Sequence, residues 1–304
     1  MRRAKSLTTI KDVSSIVSSS NESPTYRGRK GSAFQPSGTN SLCIKVCLGL
    51  FFILLLQVFP VSAQEVFNPP LKTNTAFKGG EILTYQIRYG FIVGGTTTLS
   101  LTEDVYKKKP VFHAEAIGET TGMADKLYGV KDTYESWFDK ETNLPYKQVR
   151  DIKEGHYKKY NVVTYDRKTN TVHSKLSGDH EVPDKILDLA STFYYLRRVN
   201  FTKMREGDAI LVNMFFDDEI FPFHLRYRGK EVVKTKFGDI NCIKICPIVE
   251  VGRMFKNDDD LTIWFTDDEN RLPVSVKMDI RIVGAVYLKL INYENIMSPL
   301  VFQE

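Results

Sequence analysis

Apolar and polar residues alternate along most of the chain from Glu81 onward, the period of strands whose two faces meet different surroundings. Leu83, Tyr85, Ile87 and Tyr89 share one face of a first strand, and Gly90, Gly94 and Gly95 mark a turn or bulge before a second at 96–105. The pattern predicts further strands over 110–118, 130–138, 145–153, 156–166 and 171–176. It continues over 210–216, 220–228, 230–236, 240–251, 261–265, 273–282 and 285–292. Connections this short imply antiparallel meanders. One segment changes period: after Pro183, the residues Ile186, Leu187, Ala190, Phe193, Tyr194 and Arg197 recur at three- and four-residue spacing. Residues 184–199 therefore read as the main helix, with Asp184 as cap or first-turn acid. A shorter helical turn is expected at 122–128. The fold class that follows is mainly β, a curved antiparallel sheet or open β-barrel of two related halves, with the helix on its concave face or closing its mouth.

The two halves rest on an internal echo. Trp137-Phe138-Asp139-Lys140-Glu141-Thr142-Asn143-Leu144-Pro145 resembles Trp264-Phe265-Thr266-Asp267-Asp268-Glu269-Asn270-Arg271-Leu272-Pro273, with one extra residue in the second copy. Each is a strand ending in Trp-Phe, a turn of Asp, Glu and Asn, which tolerate left-handed backbone, and a Leu-Pro opening the return strand. A duplicated β unit and two independently acquired hairpins both remain open.

The amino-terminal part is different in kind. Residues 1–41 are rich in Ser, Thr, Arg and Lys without apolar periodicity, the composition of a disordered leader extension. Residues 42–61 are apolar, with Lys45 near their start and Val61-Ser62-Ala63 at their end, the pattern of a signal peptide cleaved after Ala63. The run after Lys45 is short for a bilayer span of roughly 20 residues, so an uncleaved inner-membrane anchor is the alternative. The expected layout is leader extension 1–41, signal peptide 42–63, linker 64–76, β domain 77–295 and tail 296–304, in an exported, periplasmic protein.

Charge then narrows the partners. Of 42 basic and 37 acidic residues, eight basic and two acidic ones fall in the first 63, so the remainder is nearly neutral. A near-neutral body lacks the electrostatic footprint of a nucleic-acid binder. Beyond the leader the chain holds Cys242 and Cys246, four residues apart on an alternating run. A regular strand separates them by about 13 Å, beyond the roughly 7 Å reach of a disulfide between Cα atoms. They read as small buried hydrophobes.

Catalytic signatures are missing: there is no G-x-S-x-G, H-E-x-x-H, P-loop or G-x-G-x-x-G. Of the histidines His113, His156, His173, His180 and His224, none has metal-site spacing to a partner, and His180-Glu181 beside Asp179 reads as a polar loop before the helix. No catalytic residue, metal or cofactor is expected. The runs 217–219, 258–260 and 267–269 read as solvated hairpin tips. The basic stripes Arg150, Lys153, Lys158, Lys159 and Arg226, Arg228, Lys230, Lys234, Lys236 read as solvated strand faces or a membrane-surface contact.

Three stretches carry a resemblance to a known family. Gly80-Glu81-Ile82-Leu83-Thr84-Tyr85 with Gly94-Gly95, the helix text Asp188-Leu189-Ala190-Ser191-Thr192-Phe193-Tyr194-Tyr195-Leu196-Arg197, and Phe237-Gly238 with Ile263-Trp264-Phe265 through Leu272-Pro273 are similar to the bacterial family called domain of unknown function 3108. The resemblance spans 77–294. It implies an exported envelope protein of mostly β architecture and transfers no catalytic residue. The aromatic load of 12% suits either sheet packing or an apolar cavity. The leading functional expectation is non-enzymatic binding of a lipidic or amphiphilic envelope molecule, or of an envelope protein partner, with Met123, Leu127, Tyr128, Phe193 and Phe223 as candidate cavity residues. An envelope hydrolase using Asp or Glu with His113 or His173, and an assembly factor pairing an exposed strand edge, are the alternatives.

Overall fold

The structure is a computed structural model that describes residues 65–67, 69–248, 257–281 and 284–303. The expected leader and signal peptide, and the far ends of the strands expected at 240–251 and 273–282, lie outside the described residues.

Two antiparallel meanders make one sheet. The first runs through β2 (Ile82–Tyr89), β3 (Ile92–Tyr106), β4 (Lys109–Thr120), β5 (Lys131–Asp139), β6 (Pro145–Glu154), β7 (Tyr157–Asp166), β8 (Thr171–Ser174) and β9 (Gly178–Glu181). The second runs through β10 (Ala209–Phe216), β11 (Glu219–Thr235), β12 (Gly238–Pro247), β13 (Leu261–Thr266), β14 (Pro273–Ile280) and β15 (Gly284–Glu294). Pairing of β15 with β2 fuses them, and β1 (Glu65–Phe67) adds a parallel strand beside β10. Among the described residues the sheet's outer strands, β1 and β9, have three and four residues.

Two helices interrupt the strands: α1 (Gly122–Leu127) between β4 and β5, and α2 (Leu189–Arg197) between β9 and β10. The main helix is shorter than its periodicity suggested. Asp184 is not its cap; Lys185 takes a positive φ of 58°, and Leu187 pairs with Met214 of β10 in a parallel bridge, which holds 184–187 out of helical conformation. The cap is Asp188, which accepts from Ser191 N at 2.7 Å while the Ser191 hydroxyl accepts from Asp188 N, a reciprocal capping box. Asp188 is buried and also accepts from Ser136 on β5, so the helix start is fixed to the sheet.

Other boundaries moved for local reasons. The strands expected at 220–228 and 230–236 are one strand, β11, because Arg228 and Gly229 form a bulge in its ladder with β12 rather than a turn. The Gly-Asp-His-Glu stretch expected as a loop pairs with β8 as β9; its polarity hid a strand that buries little. The linker expected at 64–76 packs on the domain, through β1, a Leu71–Val199 bridge and a 2.6 Å bond from the Tyr195 hydroxyl to Pro69 O. The expected tail does the same, with Leu300 buried and Gln303 N donating to Asp239 O.

The core is the concave side of the sheet wrapped around α2. Tyr194 is fully buried, with ring centroids 4.7 Å from Phe77 and 5.4 Å from Phe138, while Tyr195 and Leu196 join a second cluster with Ile210, Leu225 and Ile243. At the helix end two consecutive arginines hold both echoed turns. Arg197 makes a two-pronged pair with Glu81, at 2.5 and 2.8 Å, and donates to Asn270 O and Ala76 O. Arg198 donates to Glu141 O, to the Asn143 side chain and to Lys72 O. Glu81 and Arg197 have no exposed side-chain surface. Burial opposes charge on Arg197, but the Glu81 carboxylate outweighs it and raises the guanidinium above its ordinary range.

Removing one member of such a pair strands a buried charge, so Arg197→Leu should cost about 3–5 kcal/mol in urea unfolding. The E81L/R197L double variant should recover most of that loss, since no unpaired charge remains.

Candidate functional site

Inside the sheet, against one side of α2, lies a cavity of about 690 Å³. Its wall includes the buried Tyr85, Leu99 and Phe265 and the half-buried Ala116, Phe193, Gly94, Gly118, Ala124 and Val130. The alternation seen in the sequence explains the lining: Tyr85 and Ile87, Thr97 and Leu99, and Ala116 and Gly118 are inward-facing pairs two residues apart on β2, β3 and β4. Asp188 sets the helix so that Leu189, Ala190, Thr192, Phe193 and Leu196 face the space. Burial raises the Asp188 carboxyl above its ordinary range, against the pull of its bonds from Ser136 and Ser191. A Cβ at Gly95 would stand 2.4 Å from Glu119 O, so glycine there permits the close β3–β4 approach at the cavity wall. The acidic wall residues are Glu119, which is exposed, and Asp132, which accepts from Lys153 N at 3.0 Å.

Of the five residues expected to line a cavity, Phe193 and Phe223 stand in its wall. Met123, Leu127 and Tyr128 do not. Helix α1 buries none of its residues and turns only Ala124 to the cavity, leaving those three 69%, 81% and 54% exposed. Sequence reasoning missed Gly94, Gly118 and Ala116, small residues whose value is the space beside them.

The chemistry-bearing side chains lie elsewhere. His113 bonds Glu135 at 2.9 Å and stacks on Trp137 on the outer face of the sheet, while His173 meets Asp179 at 2.7 Å and His224 meets Glu65 at 2.8 Å. Among the described residues no group of three His, Cys, Asp or Glu side chains could hold a metal ion. Cys242 and Cys246 are free and buried on β12, and burial pushes the Cys242 thiol up to about 12, which makes it inert as a thiolate.

The acidic runs and basic stripes answer one another. Asp217 and Asp218, at the β10–β11 turn, meet Arg150 and Lys159 of β6 and β7, and Asp258 and Asp259 meet Arg226 and Arg228. Asp218 also accepts from Asn161 at 2.9 Å and Ser174 at 2.5 Å. Asp217 and Asp258 are solvated, as expected of turn acids, but they are also paired, and the first pair ties the β10–β11 turn across to β6–β8 and closes the curved sheet by side chains.

Residues 84–291 match a family described as protein of unknown function, DUF3108. The chain belongs to the DUF3108 family. No curated protein matches it. Similar solved structures include a β-barrel-like protein of the DUF1849 domain family from Brucella abortus, 10% identical, covering 73% of this chain and 99% of its own with a TM-score of 0.46. A DUF1089 family protein from Pseudomonas aeruginosa is 10% identical over 59% of this chain and 87% of its own, with a TM-score of 0.34. A protein with a YmcC-like fold from Bacteroides fragilis is 10% identical over 72% and 97%, also at 0.34. The DUF3108 chain has a curved, almost wholly antiparallel sheet among the described residues.

The seam has a pH signature. The Lys159 ammonium and the Arg150 guanidinium hold the Asp217 carboxyl below its usual range; burial opposes charge on Asp218, but bonds from Ser174, Ser177 and Asn161 and the nearby Lys159 charge outweigh it and lower that carboxyl too. Depressed carboxyl values mean stabilisation present above the unfolded value of about 3.9 and lost as pH falls through the folded values. D217N/D218N should cost about 1–3 kcal/mol at neutral pH, and its thermal midpoint should begin to approach that of the parent below about pH 4 and meet it once pH has fallen through the depressed folded values.

Proposed function

We propose that this protein is an exported, non-enzymatic carrier that holds the apolar part of a lipidic amphiphile in the cavity against α2, with the polar end at the mouth near Glu119 and Asp132. The observation that carries the reading is the cavity itself. Its volume lies within the roughly 300–1,000 Å³ of small-molecule sites, and its wall includes Leu99, Ala116, Phe193, Leu196 and Phe265. A water-filled space of that lining would be unfavourable, so an apolar guest is the occupant that its chemistry selects. The export pattern at 42–63 supports placing this carrier in the periplasm, where acyl-bearing molecules are in transit between membranes. No histidine lines the cavity among the described residues, so the hydrolase alternative has no general base there beyond the two rim acids.

Native mass spectrometry of protein purified from the envelope, followed by organic extraction, should recover an acyl-bearing molecule in stoichiometric amount. Ala116→Phe fills the cavity with a side chain from β4 and should abolish that recovery while leaving the far-UV circular dichroism unchanged. A clean apo mass under gentle conditions would sink the reading.

A further inference from the structure

Three neighbouring connections at one end of the sheet are tied into a single rim. Thr121 N, just before α1, donates to Gly94 O next to the β2–β3 turn at 3.1 Å. Beyond α1, Gly155 N of the β6–β7 turn donates to Gly129 O at 2.7 Å, and the Tyr128 hydroxyl donates to Glu154 O at 3.1 Å. A Cβ at Gly155 would stand 2.8 Å from the Tyr128 ring, so the two connections are in close contact. This rim adjoins the cavity, whose wall includes Ile87 and Gly94 beside the first turn, Ala124 of α1, and Val130 after it.

What the rim exposes is unusual for a protein surface bathed only in water. Phe91 is 88% exposed at the tip of a turn, 89–93, that has no charged residue, and Met123, Leu127, Tyr128 and Tyr157 are exposed beside it. Lys126, Lys131 and Lys158 are exposed among these apolar side chains. Of the acids on the same rim, Asp125 accepts from the Thr120 hydroxyl at 3.1 Å and Asp132 from Lys153 N at 3.0 Å, while Glu119 and Asp125 stay exposed to solvent. Protruding Phe and Leu, tyrosines at an intermediate level and lysines between them are the arrangement that inserts into the interfacial layer of an anionic bilayer, with each lysine adding attraction to the headgroups.

We propose that this rim docks on the surface of an anionic phospholipid bilayer, bringing the cavity mouth to the membrane so that an amphiphile passes between bilayer and cavity without crossing water. The proposal rests on the carrier reading for its purpose, but docking is measured separately from loading. F91W places an indole at the tip. Its emission should be quenched by vesicles of brominated phosphatidylglycerol beyond any change in the parent protein, whose Trp137 and Trp264 provide the background. Absence of that extra quenching overturns docking. In a second assay, protein purified from the envelope is loaded with a fluorescent fatty acid and mixed with phosphatidylglycerol vesicles. The parent's transfer rate should rise with vesicle concentration, whereas F91S/L127S should bind the same amount of probe and transfer it roughly tenfold more slowly, the effect of withdrawing two partly inserted apolar side chains. Equal transfer by parent and variant also overturns docking. Failure of the parent to load the probe counts against the carrier reading, while the quenching result still decides docking. A dimer in sedimentation velocity that F91S/L127S dissociates, with F91W unquenched, would assign the rim to self-association instead and overturn the proposal.

Discussion

The buried Glu81–Arg197 pair is the interaction on which the placement of everything else depends. A curved sheet of short-connected strands specifies its own ladder but does not by itself fix what lies in its hollow. Helix α2 has nine residues, too few for stability alone, and is held by its two ends. At the first, Asp188 caps the helix and binds Ser136 of β5; at the last, Arg197 reaches Glu81 at the head of β2 and Asn270 in the β13–β14 turn. Successive residues on a helix point about 100° apart, so Arg198 is free to reach the β5–β6 turn of the first meander, at Glu141 and Asn143, while Arg197 holds the β13–β14 turn of the second. Two adjacent guanidiniums thus tie the helix to both halves. The low dielectric that makes this pair costly to bury also makes it intolerant of a missing partner, which is how a polar group fixes one arrangement among several compact ones.

The two turns gripped in this way are the echoed sequences, and their likeness extends beyond the residues that revealed it. Each ladder carries a register shift at the same place, between Trp137 and Phe138 in one and between Trp264 and Phe265 in the other. Each return strand is preceded by a residue of positive φ, Asn143 or Arg271. Each tryptophan donates its indole N–H to a carboxylate two strands away, Asp104 for Trp137 and Glu231 for Trp264, and each lies under a lysine, Lys147 or Lys244. The strands β3–β6 and β11–β14 therefore repeat a local geometry on the outer face of the sheet, while the inner faces of both contribute to the cavity wall and to the core.

Curvature explains both the cavity and its closure. Bulges in β11 and at the Gly94–Gly95 region coil the sheet, and small side chains on the inner face leave a gap against α2 that the aromatic residues do not fill. The remaining opening between the two ends of the sheet is crossed by charge rather than by a ladder, with Asp217 and Asp218 meeting Arg150 and Lys159. Exposed ion pairs contribute little each, and beneath them Phe215 of β10 is buried in one cluster with Val163 and Tyr165 of β7 and Val172 of β8.

Local physics made much of this legible in the sequence. Alternation with a period of two gave the meanders and the inner and outer faces of most strands, the change of period after Pro183 gave the helix, and the Asn and Asp turns before Leu-Pro gave the echo. The spacing of Cys242 and Cys246 excluded a bond between them, because strand rise is nearly constant. The stretches resembling the DUF3108 family contain Glu81, Asp188, Arg197 and Asn270, yet nothing in the sequence says that Glu81 and Asn270 converge on the Arg197 guanidinium, since the residues that meet are as many as 116 positions apart. Phe193 and Phe223 were readable as inward aromatics, whereas Met123, Leu127 and Tyr128 have the same composition and stand outside, because a six-residue helix can turn only one side to the sheet. Nor could the sequence show that its acidic runs pair with Arg150, Lys159, Arg226, Arg228 and Lys230 of its basic stripes. Periodicity is a property of neighbouring residues and survives in one dimension; cavity volume, charge pairing and the tie between the two halves depend on which distant faces the curvature brings together, and only the tertiary structure decides that.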